Sequence, residues 1–257
     1  MQGAAANRKV NDLDSQNSLI IVRADLSLKP YSIGTRCSKR QDNYATVSYL
    51  SKVVLAIGAH PDDCELGCYA TLAYHKSQGD SVHLLILSKG EAGGPSKKRI
   101  KESKEAAQLL GADSITVGDL KDRMITSDSQ TIDLIQAGLE EVQPDRIYTH
   151  SPHDNHQDHR NAALATMTLY RHVDDIFLYE SPSVSHEFTP RVFVNITRFF
   201  HVKIAALKLH ETQNRKYYIR TEAIEGLAQY RAFQAGMLAK YNHSKAEAFD
   251  LAKLTLF

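Results

Sequence analysis

From residue 52 onward the sequence alternates between short apolar runs and longer segments with helical periodicity, and this alternation limits the fold more than any other feature. Residues 53–57 and 82–87 have the length and the β-branched content of strands that are buried on both faces. A segment with helical spacing follows each run, and the two segments end near Gly79 and at Gly111, where helix C-caps are expected. The pattern predicts an α/β fold with a mostly parallel sheet and helices on both faces.

The alternation continues toward the C-terminus and fixes the predicted order of elements. Helices are predicted through residues 66–73 and 100–110, strands at 114–117, 146–150, 176–180 and 192–196, and further helices at 132–142, 158–170, 199–210 and 223–238. Residues 1–50 are ambiguous, although 19–22 and 26–28 are possible short strands. We therefore predict an N-terminal appendage over residues 1–50 and one functional domain over residues 51–257.

The charge balance and the cysteine pattern exclude several classes of protein. The 257 residues include 31 Lys and Arg against 30 Asp and Glu, which is not the basic excess of a nucleic-acid-binding domain. No apolar run is long enough to span a membrane and no secretory leader is evident, so we expect a soluble, cytoplasmic protein without an integral membrane segment. Cys64 and Cys68 are separated by three residues and Cys37 stands apart, which makes disulfides improbable.

Two polar loops follow predicted strands, where open α/β sheets bind their ligands. The first loop contains His60, Asp62 and Asp63, and the second, residues 150–159, holds four histidines and two aspartates in ten residues. Adjacent carboxylates beside an imidazole need a compensating cation or hydrogen bonds when they lie at a dry sheet edge. A bound metal ion is the simplest compensation.

The spacing within the loops suggests which residues bind this metal. His60 and Asp63 lie three residues apart and can converge on one point, and His159 supplies a further nitrogen from the second loop. This mixed nitrogen and oxygen set predicts one Zn²⁺ per chain, bound by His60, Asp63 and His159 with a fourth position open, which is typical of catalysis.

The neighbouring residues then have candidate roles. Asp62 is beside the metal without binding it, and it is the predicted general base that takes a proton from water. His156, one helical turn before His159, is predicted to protonate the leaving nitrogen or to stabilise the oxyanion. Asp158 is predicted to orient or charge His156.

The two loops carry a family resemblance. The motif Ala59-His60-Pro61-Asp62-Asp63 and the motif His156-Gln157-Asp158-His159 resemble the two signature motifs of the PIG-L/LmbE-like zinc-dependent N-deacetylases. Weaker matches extend over residues 88–93, 99–111, 203–213 and 246–249.

The resemblance implies a Rossmann-like fold and activity on N-acetylglucosamine-type groups. It implies the same ligands, base and acid, and it suggests self-association as a possible homo-oligomer. This chain has Cys68-Tyr69 where the family often has Gly-Gly. Residues 1–50 match nothing recognised in the family.

Further residues near the loops are candidate substrate contacts. Glu91, Arg99, His153 and Asp154 are assigned this role, with ordinary turn, loop or exposed-helix positions as the alternative for each. His150 is interpreted as a loop residue near the site.

The sequence thus predicts a zinc-dependent hydrolase that releases acetate and a free amine from an N-acetylated amino sugar or glycoconjugate. One alternative is a hydrolase of thiol-conjugated sugar amides. A second is a non-catalytic, metal-stabilised binding module.

Overall fold

The computed structural model describes residues 20–22, 51–237 and 243–255, and within them eight strands form one sheet in the order β1-β7-β8-β6-β5-β2-β3-β4. Strand β8 runs antiparallel to both of its neighbours, and all other pairs are parallel. The predicted mostly parallel sheet is therefore confirmed. The strands are β1 (Ile20–Val22), β2 (Val53–Gly58), β3 (Ser81–Ser88), β4 (Ser114–Leu120), β5 (Arg146–Thr149), β6 (Asp175–Tyr179), β7 (Val192–Asn195) and β8 (Ala246–Lys253).

Helices cover both faces of the sheet, as the sequence predicts. In β2, Val54 and Ala56 pack into one hydrophobic cluster while Leu55 and Ile57 pack into another, so successive side chains bury opposite faces. Helices α1, α2, α3, α6 and α7 contribute to the first cluster, and α4 and α5 to the second. The α-helices are α1 (Asp63–Gly67), α2 (Tyr69–Ser77), α3 (Ser96–Leu110), α4 (Ser129–Val142), α5 (Gln157–Thr168), α6 (Phe200–Leu209) and α7 (Thr221–Gln234).

The single helix predicted after β2 is wrong, because the chain breaks at Cys68 into α1 and α2. The break is stabilised by a buried ion pair from elsewhere in the chain. Lys203 donates to the Leu66 carbonyl at 2.7 Å and to Glu247 at 2.6 Å, and Glu247 accepts from two backbone amides at the start of α2. These contacts satisfy helix-end groups that a continuous helix would pair internally.

Strand β8 is not among the strands predicted from the sequence. Residues 246–249 carry only a weak match to the family, and the sequence of the strand, AEAFDLAK, lacks the strict alternation of polar and apolar residues that would predict it. In the N-terminal segment, β1 falls within one of the two possible strands and pairs with β7 at the sheet edge. The other possibility, residues 26–28, lies outside the described residues.

The strand order places the two polar loops side by side. Strand β2 pairs with β3 on one side and with β5 on the other, so the connections diverge between β2 and β5. This is the switch point at which open α/β sheets form a crevice beyond the strand carboxyl ends. The loops after β2 and β5 both open into that crevice. No helix within the described residues has the length and apolar character needed to cross a membrane.

Candidate active site

The loops that follow β2 and β5 are joined by buried hydrogen bonds. The Ala59 amide donates to Nε2 of His150 at 3.1 Å, and the same nitrogen is 3.0 Å from Oδ2 of Asp63. His60 reaches across to the second loop, with Nε2 at 3.0 Å from Oδ2 of Asp158. The structure therefore brings together residues that are about a hundred positions apart in the sequence.

Asp63 lies between the two histidines predicted to share a metal with it. Its Oδ2 is 3.3 Å from Nδ1 of His60, and its Oδ1 is 3.4 Å from Nε2 of His159. His159 belongs to two sets of three residues whose potential ligand atoms lie within 4.8 Å of one another. One set also contains His60 and His156, and the other contains Asp63 and His150. The predicted trio is linked through Asp63 rather than forming one such set by itself.

In both His60 and His159, carboxylates bind the outer ring nitrogen, which is the nitrogen that does not face Asp63. Asp154 binds Nδ1 of His159 at 3.0 Å, which leaves Nε2 facing Asp63. Asp158 and Asp122 bind Nε2 of His60 at 3.0 and 3.2 Å, which leaves Nδ1 facing Asp63. A carboxylate on the outer nitrogen fixes the ring and raises its basicity, as is usual for metal-binding histidines.

The electrostatics of this cluster favour positive charge. Burial opposes protonation of His159, yet Asp63 and Asp154 raise the pKa of His159 to about 9. His60 is similar, because Asp63, Asp122 and Asp158 outweigh burial and raise its pKa well above the usual value. Burial alone would raise the pKa of Asp63, but the surrounding histidines hold it well below its usual range. A divalent cation supplies such charge, and the imidazole and carboxylate donors fit zinc.

Asp62 pairs with Arg99 rather than with the histidines of this cluster. Its φ of 106° is in the left-handed region, which is costly for a residue with a side chain, and such strained residues cluster at active sites. Arg99, 3% exposed, donates to Oδ1 of Asp62 at 2.8 Å and also contacts the Pro61 carbonyl. Gly90 accepts from the same guanidinium, and a Cβ on Gly90 would collide with it. Burial raises the pKa of Asp62 to about 6 against the opposing charge of Arg99.

His156 precedes α5 and packs against both histidines. Its ring stacks on His159 with centroids 4.3 Å apart and meets His60 edge-on at 4.9 Å. The Asp158 amide donates to Nδ1 of His156 at 3.3 Å, so the neutral ring carries its proton on Nε2. Burial and the charges of His159 and His60 lower the pKa of His156.

These residues form the floor of a cavity of about 460 Å³. Its walls come from the loops after β2, β3, β4, β5 and β6, from the start of α3 and from the segment before α7. The lining residues are His60, Asp62, Asp63, Leu66, Ala92, Gly93, Arg99, Asp122, Arg123, His156, His159, Pro182, Ser183, Lys216, Tyr217 and Tyr218.

The four predicted substrate contacts occupy different environments. Arg99 lines the cavity, although its guanidinium is bound within the protein. Asp154 is buried and bound to His159, Ser181 and Ser183. Glu91 accepts a hydrogen bond from the Asp122 amide, and His153 is half exposed with its Nδ1 3.4 Å from Glu187. Neither Glu91 nor His153 lines the cavity.

Asp158 also differs from its expected arrangement. Its carboxylate does not bind the His156 ring; it binds His60 and accepts from the amides of Arg123 and Ile125. The physical reason is that the loop after β4 crosses over the start of α5 and provides those amides. Asp158 therefore orients His60 in this structure.

Two residues of the cluster were not assigned from the sequence. Asp122 follows β4 and bridges His60 to the Ala92 amide. His150 is fully buried, and its ring stacks on His159 at 3.9 Å. A usable signal existed for Asp122, because it follows a predicted strand in a parallel sheet just as the two motif loops do.

Fold and site together define an α/β protein with a buried His/Asp cluster, suited to a cation, at the sheet's switch point. The sequence profile described as PIG-L, GlcNAc-PI de-N-acetylase, matches residues 55–170. The uncharacterized deacetylase YaiS of Escherichia coli is 36% identical over 169 residues, which cover 63% of this chain and 91% of YaiS. The chain belongs to the PIG-L family of deacetylases.

Two more distant relatives are named for different reactions. Diacetylchitobiose deacetylase of Thermococcus kodakarensis is 26% identical over 187 residues, covering 63% of this chain and 70% of the relative. The 4-oxalmesaconate hydratase of Pseudomonas putida is also 26% identical, over 223 residues covering 74% of this chain and 82% of the relative.

Solved structures support the fold alone. A conserved protein from Thermus thermophilus superposes with a TM-score of 0.69 at 24% identity, covering 81% of this chain and 97% of that one. The N,N'-diacetylchitobiose deacetylase from Pyrococcus horikoshii superposes with a TM-score of 0.66 at 22% identity, covering 78% of this chain and 84% of that one.

Proposed function

We propose that this protein is a zinc-dependent hydrolase that removes the acetyl group from the amide nitrogen of an N-acetylated amino sugar or glycoconjugate. The observation that carries the proposal is the position of Asp63, which contacts both His60 and His159 on the floor of a cavity. Asp62 is the preceding residue, and Arg99 binds its carboxylate. Membership of a deacetylase family makes acetyl transfer to water the preferred reaction.

In this proposal His60, Asp63 and His159 hold the zinc through one imidazole nitrogen each and a carboxylate oxygen. Zinc supplies Lewis acidity toward a substrate carbonyl and toward water. Asp154 and Asp158 keep the outer nitrogens of the two histidines occupied, so that the inner nitrogens stay directed at Asp63. Asp122 adds a second carboxylate on His60.

Asp62 acts as the general base. Arg99 engages Oδ1, which leaves Oδ2 as the oxygen that can take a proton from water in the cavity. A pKa raised by burial to about 6 is close to the value that serves a base near neutral pH. The left-handed backbone at Asp62 and the Arg99 contacts fix the direction of this carboxylate.

His156 acts on the opposite side of the scissile bond. Its Nε2–H can donate to the carbonyl oxygen as negative charge develops there, or to the departing nitrogen. Water forms the new C–O bond and the C–N bond breaks. The proton taken by Asp62 is returned to the nitrogen, either directly or, where His156 has protonated the nitrogen, by restoring the proton of His156. The products are acetate and a free amine.

Two other reactions use similar parts. Hydrolysis of a thiol-conjugated sugar amide needs the same base and acid, and a hydratase needs activated water without amide cleavage. The hydratase relative in Pseudomonas is a specific reason to test the latter. The greater similarity to a deacetylase favours amide hydrolysis.

The test is product analysis with the zinc-loaded chain. N-acetylglucosamine, N,N'-diacetylchitobiose and a mercapturate-type sugar conjugate are supplied separately, and acetate and primary amine are both quantified. We expect acetate and amine in equal amounts from an N-acetyl sugar. Loss of 4-oxalmesaconate with no acetate from any sugar would instead support a hydratase, and full zinc loading without turnover on any of them would support a binding module.

We further propose that residues 51–257 make up the deacetylase domain, with residues 1–50 as an appendage. A cytoplasmic location, the absence of a nucleic-acid partner and possible self-association stay predictions from the sequence.

A further inference from the structure

The charges that line the cavity are unevenly distributed. The acidic groups on its floor are all engaged, since Asp62 binds Arg99, Asp63 binds His150 and Asp122 binds His60. Besides Arg99, two cationic residues, Arg123 and Lys216, line the same cavity. Within the described part of the chain, neither of them forms an ion pair. An anion that enters the cavity therefore meets two positive charges outside these ion pairs, and each of the three carboxylates already has a cationic or imidazole partner. The charge of Lys216 also acts on Asp62, without a direct ion pair.

The backbone holds Arg123 at this position. Its amide donates to Oδ2 of Asp158 at 2.7 Å, and its carbonyl accepts from Gln157. Its φ of 68° is left-handed, a conformation that glycine or asparagine adopts more readily than arginine. The exposed guanidinium is thus carried by a segment anchored directly to the candidate active site.

Lys216 reaches the cavity from a different segment, just before α7. Its Nζ is 5.5 Å from the ring centroid of Tyr218, and Tyr218 meets Tyr217 edge-on at 5.8 Å. Tyr217 lines the cavity and is nevertheless 77% exposed. An ammonium beside two aromatic rings can bind an anion while the rings pack against a sugar or aromatic group.

We propose that the substrate carries an anionic group, a carboxylate or a phosphate, on the part that extends away from the acetyl amide, and that Arg123 and Lys216 bind this group. The inference rests on the proposed deacetylase function and specifies its substrate class. Arginine binds planar oxyanions in a bidentate manner and lysine binds them as a point charge, so the two residues can bind either a carboxylate or a phosphate. Neutral amino sugars are then weaker ligands.

Binding of matched ligands tests the subsite without requiring turnover. The zinc-loaded chain is titrated by calorimetry with para-carboxyphenyl glucosaminide and with its para-carbamoyl analogue, which differ in charge. A second pair, glucosaminyl phosphate and methyl glucosaminide, tests phosphate. We expect one anionic ligand to bind about thirtyfold more tightly than its neutral partner. Charge-assisted contacts strengthen its binding, and the partial exposure of the two cations limits the gain. The pair with the larger ratio identifies the anion.

The variants assign this preference to the two cations. Arg123→Gln and Lys216→Gln should each reduce the ratio to about five, and the double variant to about one. Lys121→Gln and Arg215→Gln are the controls, because each removes one exposed positive charge nearby from a residue that does not line the cavity. Both controls should keep the ratio of the unaltered chain. A ratio near one in the unaltered chain, or an equal loss in the controls, overturns the proposal.

Acetate release from the corresponding N-acetyl compounds separates this inference from the proposed function. Anion-selective binding without acetate release would contradict the deacetylase function and would still support the anion subsite. Acetate release with equal Kd and equal kcat/KM for the charged and the neutral compound of each pair would contradict the anion subsite and would still support the deacetylase function. We expect the anionic partner to be favoured in both measurements.

Discussion

Two buried polar networks lie at opposite ends of the same sheet and use the same types of residue in different ways. Beyond the strand carboxyl ends, His159 is bound by Asp63 and Asp154 on the floor of an open cavity. Near the other end, His75 binds Asp80 at 2.6 Å and the Tyr148 hydroxyl at 2.9 Å. His75 does not line the cavity of the candidate active site.

The two histidines differ in the charge that their surroundings favour. Around His159 the carboxylates overcome burial and raise its pKa to about 9. Around His75 burial prevails over Asp80, and nearby Arg146 adds to it, so the pKa of His75 is lowered. A buried Asp–His contact is therefore not in itself a sign of chemistry. A second carboxylate and access from solvent distinguish the candidate metal site from a structural network.

The largest expected effect is loss of the metal on replacing Asp63 by Ala. Asp63 is the group that contacts both His60 and His159, so its removal takes away one donor and the link between the other two. Zinc content measured by atomic emission should fall from about one per chain to below about 0.1, with no acetate release. Full zinc occupancy in Asp63→Ala would contradict the assignment of this ligand.

Replacing His75 by Phe should affect stability and leave the metal in place. The change deprives the buried Tyr148 hydroxyl and the Asp80 carboxylate of a partner, which costs about 2–3 kcal/mol. Denaturant unfolding measures this cost and metal analysis of the same sample measures zinc. If zinc were lost together with stability, the two networks would not be independent.

Asp154→Asn should weaken the metal site by a smaller amount. An amide at this position no longer draws positive charge onto His159, although it can still bind Nδ1. Loss of such an outer carboxylate typically lowers metal affinity by about 10- to 100-fold, which a competing chelator can measure. Asp128→Asn, which alters only the exposed cap of α4, is the matched control and should keep the zinc affinity of the unaltered chain.

The smallest effect concerns pH. Because burial lowers the pKa of His75 in the folded state, the unfolded chain takes up a proton first as the pH falls below the ordinary histidine value of about 6.5. The stability contributed by neutral His75 is present above that pH and is lost toward lower pH, at up to about 1.4 kcal/mol per pH unit. His75→Phe lacks this dependence, so its deficit in unfolding free energy should narrow on acidification. Parallel curves for the two proteins would show that His75 does not titrate in this way.

The sequence predicted the sheet and the meeting of the two motif loops because both follow from local patterns and from one rule of parallel sheets. It did not predict the break at Cys68, since that break depends on Lys203 and Glu247, which are far away in the chain. Strand β8 was missed for a similar reason, because only its pairing with β6 and β7 identifies it.

Within the site, the motif residues were foreseen but several of their partners were not. The spacing of His60 and Asp63 suggested convergence, whereas the contact of Asp158 with His60 depends on the loop after β4. The environment of Arg99 was equally hidden, because the Gly90 loop and the Asp62 carboxylate surround it only in the folded chain.

Asp62→Asn separates proton transfer from metal binding, because Asp62 is proposed to move a proton without holding the metal. Zinc content and acetate release from an N-acetyl amino sugar are measured on the same preparation. If Asp62 is the general base, we expect about one zinc per chain and a kcat lower by about 10²- to 10⁴-fold, the usual contribution of a general base. A zinc-loaded Asp62→Asn variant that releases acetate at a near-normal rate would contradict it.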